Sequence, residues 1–426
     1  NQTSNIGTFG ESAFDLTAGG LLADDKCQTY TTGAVISQTG NSIEATLQDR
    51  VMSDPITISN CGSLKVTKEA VGAPSDLDFT YTIDQTDTKP VANVDQLMVD
   101  PSGTSKVLTG NPTVTRITAK IGAGDTQTWS HLLAQPDYQV KELTGDLPDG
   151  VSLDNVTCVA YDPFEGRMTT TVIYENGEAT GKIFPIVPES LSPTVAHCTI
   201  TNVVTSLTLN KVLPNNSGGT ATGEDFLLSA AGPTPLEGFD PDTTSLKVGV
   251  SDIVEVGTYT LSEKTMAGYA ASDWTCTVNG DPVTVTDSKV SVAKGQTVIC
   301  AVTNDDIPAR LTLVKQVDNV DVGKLTTADF PLTFTGSAGY TGTGVSGSDA
   351  VRNRPVPADT YTLSEGTQTG YTASAWTCVD TGTTDAVAVT DGKIKLGLAD
   401  DVTCTIKNTY VPATLTLVKK VINDDG

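Results

Sequence analysis

Polar residues capable of covalent chemistry end three strand-like segments in the second half of the chain. Side chains alternate between the two faces of a strand, so residues two apart share a face. In each segment two apolar residues and one polar residue share a face: Leu207, Leu209 and Lys211; Tyr259, Leu261 and Glu263; Cys300, Val302 and Asn304. We therefore expect a lysine, a glutamate and an asparagine to point into one apolar core.

Such a set could form an isopeptide bond. Burial lowers the pKa of an amine and raises that of a carboxylic acid. A neutral amine is a nucleophile, and a protonated carboxyl group can polarise an asparagine amide and carry protons while ammonia leaves. Two other interpretations stay open at this point. One is a core ion pair held by the asparagine, and the other is edge strands whose polar ends reach water.

The three segments belong to an internal repeat of 104 residues. Lys211 recurs as Lys315 and Lys419, and the pair Cys300 and Asn304 recurs as Cys404 and Asn408. The YTLSE box that contains Glu263 returns with Glu365, and each box is followed by Gly-Tyr. A longer, diverged copy precedes these two, and Lys68, Glu142 and Asn202 occupy its corresponding positions.

The repeat divides the chain into five segments. We expect a diverged module with an insertion at 63–206 (module 1) and two regular modules at 207–308 (module 2) and 309–412 (module 3). Residues 1–62 fit none of them and are interpreted as the C-terminal part of a distinct β domain. Residues 413–426 are expected to supply the first strand of a further module, in which Lys419 occupies the lysine position.

The composition favours an all-β protein with several domains. The chain has 426 residues, of which only 5% are aromatic, with 39 glycines and 21 prolines. Short alternating segments separated by Gly, Asn and Asp turns are typical of β-sandwiches, and we expect tandem Ig-like sandwich modules in an extended rod. The net charge of −25 argues against nucleic-acid binding, which requires clustered basic residues.

The eight cysteines indicate an oxidising compartment. One pair per repeat favours pairing within modules, although sequence spacing alone leaves the connectivity open. The expected pairs are Cys27–Cys61, Cys158–Cys198, Cys276–Cys300 and Cys378–Cys404. No CxxC motif is present and there are only two histidines, so we predict no metal site, no cofactor and no Ser-His-Asp active site.

The order of lysine, YxLxE box and closing asparagine resembles the collagen-adhesin B-type repeats, prealbumin-like modules that also build Gram-positive pilins. The resemblance covers roughly residues 63–412 and is most specific where Gly-Tyr follows YTLSE. It implies three crosslinks, each promoted by a glutamate: Lys68–Asn202 with Glu142, Lys211–Asn304 with Glu263, and Lys315–Asn408 with Glu365. Module 1 departs from the pattern, because its box reads YQVKE and no Gly-Tyr follows.

These features predict a non-enzymatic structural protein of the bacterial cell surface, a stalk or pilus-like fibre attached to the envelope through regions outside this chain. Its partners would be copies of itself, with the strand at 413–426 donated to the strand at 55–60 of the next copy, or a surface ligand. The alternative function is an adhesin that binds a carbohydrate or matrix ligand through residues 1–62 or the insertions of 63–206.

Overall fold

The fold is all-β, as predicted, and was obtained as a computed structural model. The structure describes residues 19–20, 22, 27–30, 34–38, 47–52, 58–85, 92–99, 105–109, 116–134, 137–175, 177–188, 195–244, 249–320 and 322–424. Two compact units are present. The first comprises Asn1–Ser206, Ile253–Val256 and Ala293–Thr297, and the second comprises Leu207–Asp252, Gly257–Val292 and Val298–Gly426.

The first unit contains the predicted module 1 and the residues that precede it. Its strands, in chain order, are β1 Thr29–Tyr30, β2 Ala34–Gln38, β3 Leu47–Met52, β4 Ile58–Ser59, β5 Cys61–Ala70, β6 Asp78–Gln85, β7 Ala92–Val99, β8 Ser105–Thr109, β9 Arg116–Gly122, β10 Thr126–Leu133, β11 Asp137–Glu142, β12 Val151–Asp162, β13 Arg167–Glu175, β14 Glu178–Ala179, β15 Phe184–Pro185 and β16 Ala196–Val204. A 3-10 turn spans Thr144–Asp146.

The second unit contains most of module 2 and all of module 3. The strands of module 2 are β17 Ser206–Val212, β18 Leu228–Ala231, β19 Leu236–Gly238, β20 Val250–Ile253, β21 Gly257–Glu263, β22 Tyr269–Ala271, β23 Thr275–Val278, β24 Asp281–Val283, β25 Lys289–Val292 and β26 Thr297–Asp306. Those of module 3 are β27 Ala309–Asp318, β28 Leu332–Gly336, β29 Thr341–Gly344, β30 Arg354–Val356, β31 Asp359–Glu365, β32 Tyr371–Ala373, β33 Thr377–Asp380, β34 Ala386–Val387, β35 Lys393–Leu396 and β36 Asp401–Tyr410. Corresponding 3-10 turns lie at Gly223–Asp225 and Thr327–Asp329.

Each module is a sandwich of a large and a small sheet. In module 3 the large sheet has the order β30-β27-β36-β33-β34, with β32 also paired to β36, and the small sheet has the order β29-β28-β31-β35. Module 2 repeats this arrangement with β20-β17-β26-β23-β24 and β19-β18-β21-β25. Buried side chains from both sheets form the core, among them Leu311 and Cys404 from one and Phe334 and Tyr361 from the other.

Module 1 has the same central strands within a larger sheet, of order β14-β13-β12-β16-β5-β10-β7-β8, packed on β15-β11-β6-β9. The predicted insertion contributes additional strands to that sheet. The additional strands are β7 and β8, beyond β10, and β14, beyond β13, whereas β12 and β13 occupy the places of β33 and β34 in module 3.

The first and last strands of a module are neighbours in the large sheet. In module 3, β27 pairs in parallel with β36, so that Lys315 lies opposite Ile406 and Val317 lies opposite Asn408. In module 1, β5 pairs in parallel with β16, with Lys68 opposite Ile200 and Ala70 opposite Asn202. The asparagine therefore lies two residues beyond the position opposite the lysine in both modules.

The segment after β36 differs from the strand expected there. Residues 411–424 have no strand pairing, and Leu415 and Leu417 are 84% and 85% exposed. A strand needs a neighbour for its backbone hydrogen bonds and its apolar face, and this segment packs on none. Its assignment as the first strand of a further module remains a prediction. Over the described part of the chain, no helix is long and apolar enough to cross a membrane.

Candidate crosslinking sites

Each module places its lysine, glutamate and asparagine in the interior between its two sheets. The lysine comes from the first strand and the asparagine from the last strand of the large sheet. The glutamate comes from the small sheet, on β11, β21 or β31. The lysines are 0–3% exposed (Lys68, Lys211 and Lys315), and the asparagines are 2–3% exposed (Asn202, Asn304 and Asn408). The lysine and asparagine side chains of all three modules are therefore buried.

Module 3 has the most complete set of contacts. Lys315 Nζ donates hydrogen bonds to both Glu365 Oε2 and Asn408 Oδ1. The lysine side chain is fully buried, and that of Glu365 is 8% exposed. The amine is therefore held directly against the carboxamide group that it would attack, with a carboxyl group on the same nitrogen.

Module 1 keeps this geometry despite its diverged sequence. Lys68 Nζ donates to Asn202 Oδ1 and, at 3.4 Å, to the carbonyl oxygen of Ile200. Glu142 Oε1 lies 3.0 Å from Lys68 Nζ, and both side chains are fully buried. Among the described residues, no acceptor pairs with the Asn202 Nδ2 group, and no donor gives a well-aligned hydrogen bond to the Glu142 carboxyl oxygens.

Module 2 is arranged differently at the asparagine. Lys211 Nζ donates to Glu263 Oε2, and the two side chains are 0% and 7% exposed. Asn304 is buried on the adjacent strand, but its Oδ1 atom accepts no hydrogen bond within the described residues. The structure thus joins lysine to glutamate here and leaves the asparagine carbonyl group buried without a donor.

An aromatic ring beside each lysine was not predicted from the sequence. Lys68, Lys211 and Lys315 place Nζ over the rings of Phe79, Phe226 and Phe330, at 4.2, 4.3 and 4.6 Å from the ring centroids. Phe226 and Phe330 are separated by the repeat length of 104 residues, and this spacing was the available sequence signal. The rings attract the ammonium form and cover the amine against water.

Burial lowers the pKa of the Lys68, Lys211 and Lys315 amines. The neighbouring glutamate opposes this shift in each module, by charge and by hydrogen bonding, but desolvation is the larger effect. A lowered pKa increases the fraction of neutral amine at a given pH, and the neutral amine is the nucleophilic form.

A second contact fixes the backbone of the lysine in the two regular modules. The backbone N–H of Lys211 donates to the buried Asp240 carboxylate at 2.7 Å, and that of Lys315 donates to Ser346 Oγ at 3.1 Å. Burial raises the pKa of Asp240, whereas its hydrogen bonds from Lys211 and Asp242 act in the opposite direction. Neither acceptor was expected from the sequence, because each lies in a loop rather than in the repeated strands.

Four disulfides are present, with the predicted pairing: Cys27–Cys61, Cys158–Cys198, Cys276–Cys300 and Cys378–Cys404. In the last three, the two cysteines lie directly opposite each other on adjacent antiparallel strands. No group of three or more His, Cys, Asp or Glu residues suited to a metal ion occurs in the described ranges.

The geometry supports one reaction within each module. Attack of the neutral lysine amine on the asparagine Cγ atom would form a C–N bond and break the Cγ–Nδ2 bond, releasing ammonia. The glutamate is placed to accept a proton from the attacking amine and to return it to the leaving nitrogen. In modules 1 and 3 the groups are buried and the amine already contacts the carboxamide, so little reorganisation is needed before attack.

Comparison with known proteins gave a family match for both regular modules. Residues 203–302 and 306–406 each match the prealbumin-like fold domain. No curated protein sequence matches the chain.

Several solved structures are similar to the chain at low sequence identity. The Bacillus anthracis TIE protein is 13% identical over 90% of this chain and 58% of its own, with a TM-score of 0.30. The pilus adhesin SpaC from Lactobacillus rhamnosus GG is 13% identical over 87% of this chain and 46% of its own, with a TM-score of 0.37. A major pilin (T3.2) from Streptococcus pyogenes is 16% identical over 58% of this chain and 98% of its own, with a TM-score of 0.22. The chain thus spans about half the length of the first two proteins.

On the family match, residues 203–302 and 306–406 are two tandem prealbumin-like fold domains.

Proposed function

We propose that this chain is a structural part of a bacterial surface stalk or pilus-like fibre whose modules crosslink themselves with Lys–Asn isopeptide bonds. The observation that carries the proposal is the contact of Lys315 Nζ with both Glu365 and Asn408 in a closed core. A buried ion pair alone stabilises a fold weakly, because desolvation offsets the attraction. A covalent bond formed from the same groups stabilises it without that cost.

The position of the bond suits a load-bearing protein. The chain enters module 3 through β27 and leaves it through β36, and these strands lie side by side in parallel. A Lys315–Asn408 bond would connect entry to exit, so that tension passes through the crosslink and the rest of the sandwich stays unloaded. The same bond would hold the module closed against proteases.

The four disulfides support a location outside the cytoplasm, because structural disulfides persist in oxidising compartments. The net charge of −25 is consistent with an exposed, highly solvated surface protein. We therefore place the chain at the extracellular face of a bacterium.

The mass of the intact protein tests the crosslinks directly. After reduction and denaturation, three isopeptide bonds would make the chain lighter than its sequence mass by three ammonia molecules. A deficit of two, with Lys68 recovered in an unlinked peptide, would restrict the reaction to the regular modules. A mass equal to the sequence value would rule out the proposed chemistry.

An adhesin is the second candidate function, and one feature of module 1 favours it. A groove of about 520 Å³ is lined by seven residues: Asp137, Asp162, Pro163, Phe164, Pro185, Val187 and Pro188. Phe164, in the turn after β12, is 99% exposed. Exposed aromatic side chains beside a concave surface are common in binding sites. Binding of the full chain to carbohydrate and matrix-protein arrays, compared with its Phe164→Ala variant, tests this function.

Assembly of copies into a fibre is the partner relationship that we propose for a stalk. The exposed apolar segment at 413–424 is its candidate donor strand, with Lys419 at the lysine position of the repeat. On the acceptor side, Ile56 lies outside the described residues, and Ile58–Ser59 form a short strand paired with Thr29–Tyr30. Asn60 Oδ1 accepts a hydrogen bond from the Gln28 backbone.

Electron microscopy of the full chain and of a variant that lacks residues 413–426 tests strand donation. Fibres formed by the deletion variant would exclude it.

A further inference from the structure

The spacing between the disulfide and the crosslinking asparagine is constant in the three modules. Cys198 precedes Asn202 by four residues, Cys300 precedes Asn304 by four, and Cys404 precedes Asn408 by four. Residues four apart on a strand point to the same face, and all six side chains are buried. The disulfide and the asparagine therefore face the same core from one strand.

The last strand of each module lies between the two strands to which it can be covalently joined. On one side is the first strand, which carries the lysine. On the other side is the antiparallel strand that carries the second cysteine, so that Cys276 faces Cys300 and Cys378 faces Cys404. The cysteine pair joins residues that are directly opposite each other, and it can form in this way in one register only.

The register of the last strand decides whether the asparagine reaches the amine. A slip by one residue would turn Asn304 away from the core. A slip by two residues would keep it inward but move it by about 7 Å along the strand, out of reach of Lys211 Nζ. Four of the ten residues in each of β26 and β36 are valine or threonine, and the alternation of side chains along these strands is by itself compatible with a two-residue slip.

We propose that each intramodular disulfide is a positioning device for isopeptide formation: it fixes the register of the last strand and holds the asparagine beside the lysine amine. The inference rests on the proposed function and adds an order of events, in which the disulfide precedes and accelerates the crosslink. The cysteines touch none of the reacting atoms, so their effect is on the fraction of molecules in the reactive register.

Crosslinking can be followed as the chain is made. The full chain is synthesised in a cell-free system buffered with oxidised and reduced glutathione, sampled over time and digested. Mass spectrometry measures the peptide that joins Lys211 to Asn304 and, in the same molecules, the peptide that joins Lys315 to Asn408. The variants are Cys276→Ser with Cys300→Ser, and the reciprocal pair Cys378→Ser with Cys404→Ser.

We expect each double variant to slow crosslinking at least tenfold in its own module and to leave the other module at the wild-type rate. Val290→Ala is the matched control, because it removes buried core volume from β25 without affecting the disulfide or the register. It should leave the Lys211–Asn304 rate within about twofold of wild type. Hydrogen exchange of β21 and β25 confirms that the altered module is folded.

Three results would overturn the proposal. The first is an unchanged Lys211–Asn304 rate in the double serine variant. The second is an equal loss of rate in Val290→Ala, which would make the disulfide merely stabilising. The third concerns a substitute for the serine variant, used if that variant does not fold: Cys276→Ala with Cys300→Val, an apolar pair that fills the space of the disulfide. A wild-type crosslinking rate in this variant would show that the covalent link between the cysteines is dispensable. Absence of both crosslinks in the wild-type chain would instead contradict the proposed function itself.

Discussion

Asn408 Oδ1 accepts a hydrogen bond from Lys315 Nζ although the two residues are 93 positions apart in the chain. The contact exists because the first and last strands of module 3 are parallel neighbours. Lys68 and Asn202 make the same contact in module 1 across 134 positions. The same strand arrangement thus places an amine against a carboxamide in modules that differ in length and sequence.

Replacing Glu263 with Ala should abolish the Lys211–Asn304 crosslink and leave module 2 folded. The carboxyl group is the only proposed proton carrier at this site, and alanine cannot replace it. Peptide mass spectrometry after digestion is the measurement, and the intact Lys315–Asn408 peptide is the internal control. Recovery of the crosslinked Lys211–Asn304 peptide from the variant would refute the assigned role.

Replacing Asn408 with Ala should lower the free energy of unfolding of module 3 by roughly 4–5 kcal/mol, the chain-entropy contribution of a crosslink that closes a loop of this length. Hydrogen exchange in increasing urea, read on peptides of module 3, measures the change. Thr409→Ala lies on the same strand, is only half-buried, and should cost much less. A difference between the two variants below about 1 kcal/mol would mean that no crosslink was lost.

Without the crosslink, module 3 should become more stable as the pH rises toward 10.5. Burial lowers the pKa of Lys315 from its ordinary value of 10.5 in the folded state. Between the folded and unfolded pKa values the unfolded chain binds more protons, so the free energy of unfolding increases with pH. The penalty of burying the ammonium group is therefore fully present below the folded pKa and is relieved above it.

Thermal unfolding of the Asn408→Ala variant between pH 7 and pH 10.5 measures this dependence. The matched control adds Lys315→Met, which removes the titrating group and keeps an apolar side chain of similar length. The difference in melting temperature between the two variants should shrink or reverse as the pH rises. A difference that is constant across the range would contradict the lowered pKa.

Replacing Asp306 with Ala should loosen the loop that follows β17. Asp306 Oδ2 accepts backbone hydrogen bonds from Ser217 and Gly219, both at 2.7 Å. Removing a charged acceptor from two donors costs about 1–3 kcal/mol. The Ser217 carbonyl in turn accepts from the Ala358 amide of module 3 at 2.8 Å.

Amide exchange should therefore accelerate at Ser217, Gly219 and Ala358 in the Asp306→Ala variant. Asp305→Ala is the control, because Asp305 is the exposed neighbour on the other face of β26. Equal exchange rates in both variants would show that Asp306 does not hold this loop.

Much of the fold and of the site follows from local pattern. Period-two alternation is sufficient to place Lys211, Glu263 and Asn304 on inward faces, and one cysteine pair per module favours the disulfides that the structure contains. Both rules depend on strand geometry, which is the same wherever a strand forms.

The rest depends on contacts through space that no periodicity encodes. Phe226 directly follows the 3-10 turn at Gly223–Asp225, and only the fold brings its ring to Lys211. Asp240 is buried in a loop, where side-chain alternation gives no prediction. The Asn304 Oδ1 atom lacks a hydrogen bond although its strand is intact, and such a difference in side-chain position cannot be predicted from the repeat. The tail at 411–424 is strand-like in sequence, yet a strand requires a neighbour.

The adjacency of first and last strands also sets the time at which a module can be completed. Hairpins such as β33 with β34 need only a short stretch of chain, but β27 acquires its parallel neighbour only when β36 has been synthesised. Long-range pairing of this kind is slow, because the loop must close before any contact forms. The bond between Lys315 and Asn408 would therefore be the last event in the folding of module 3. A crosslinked module would then mark a chain in which the synthesis and the folding of that module are both complete.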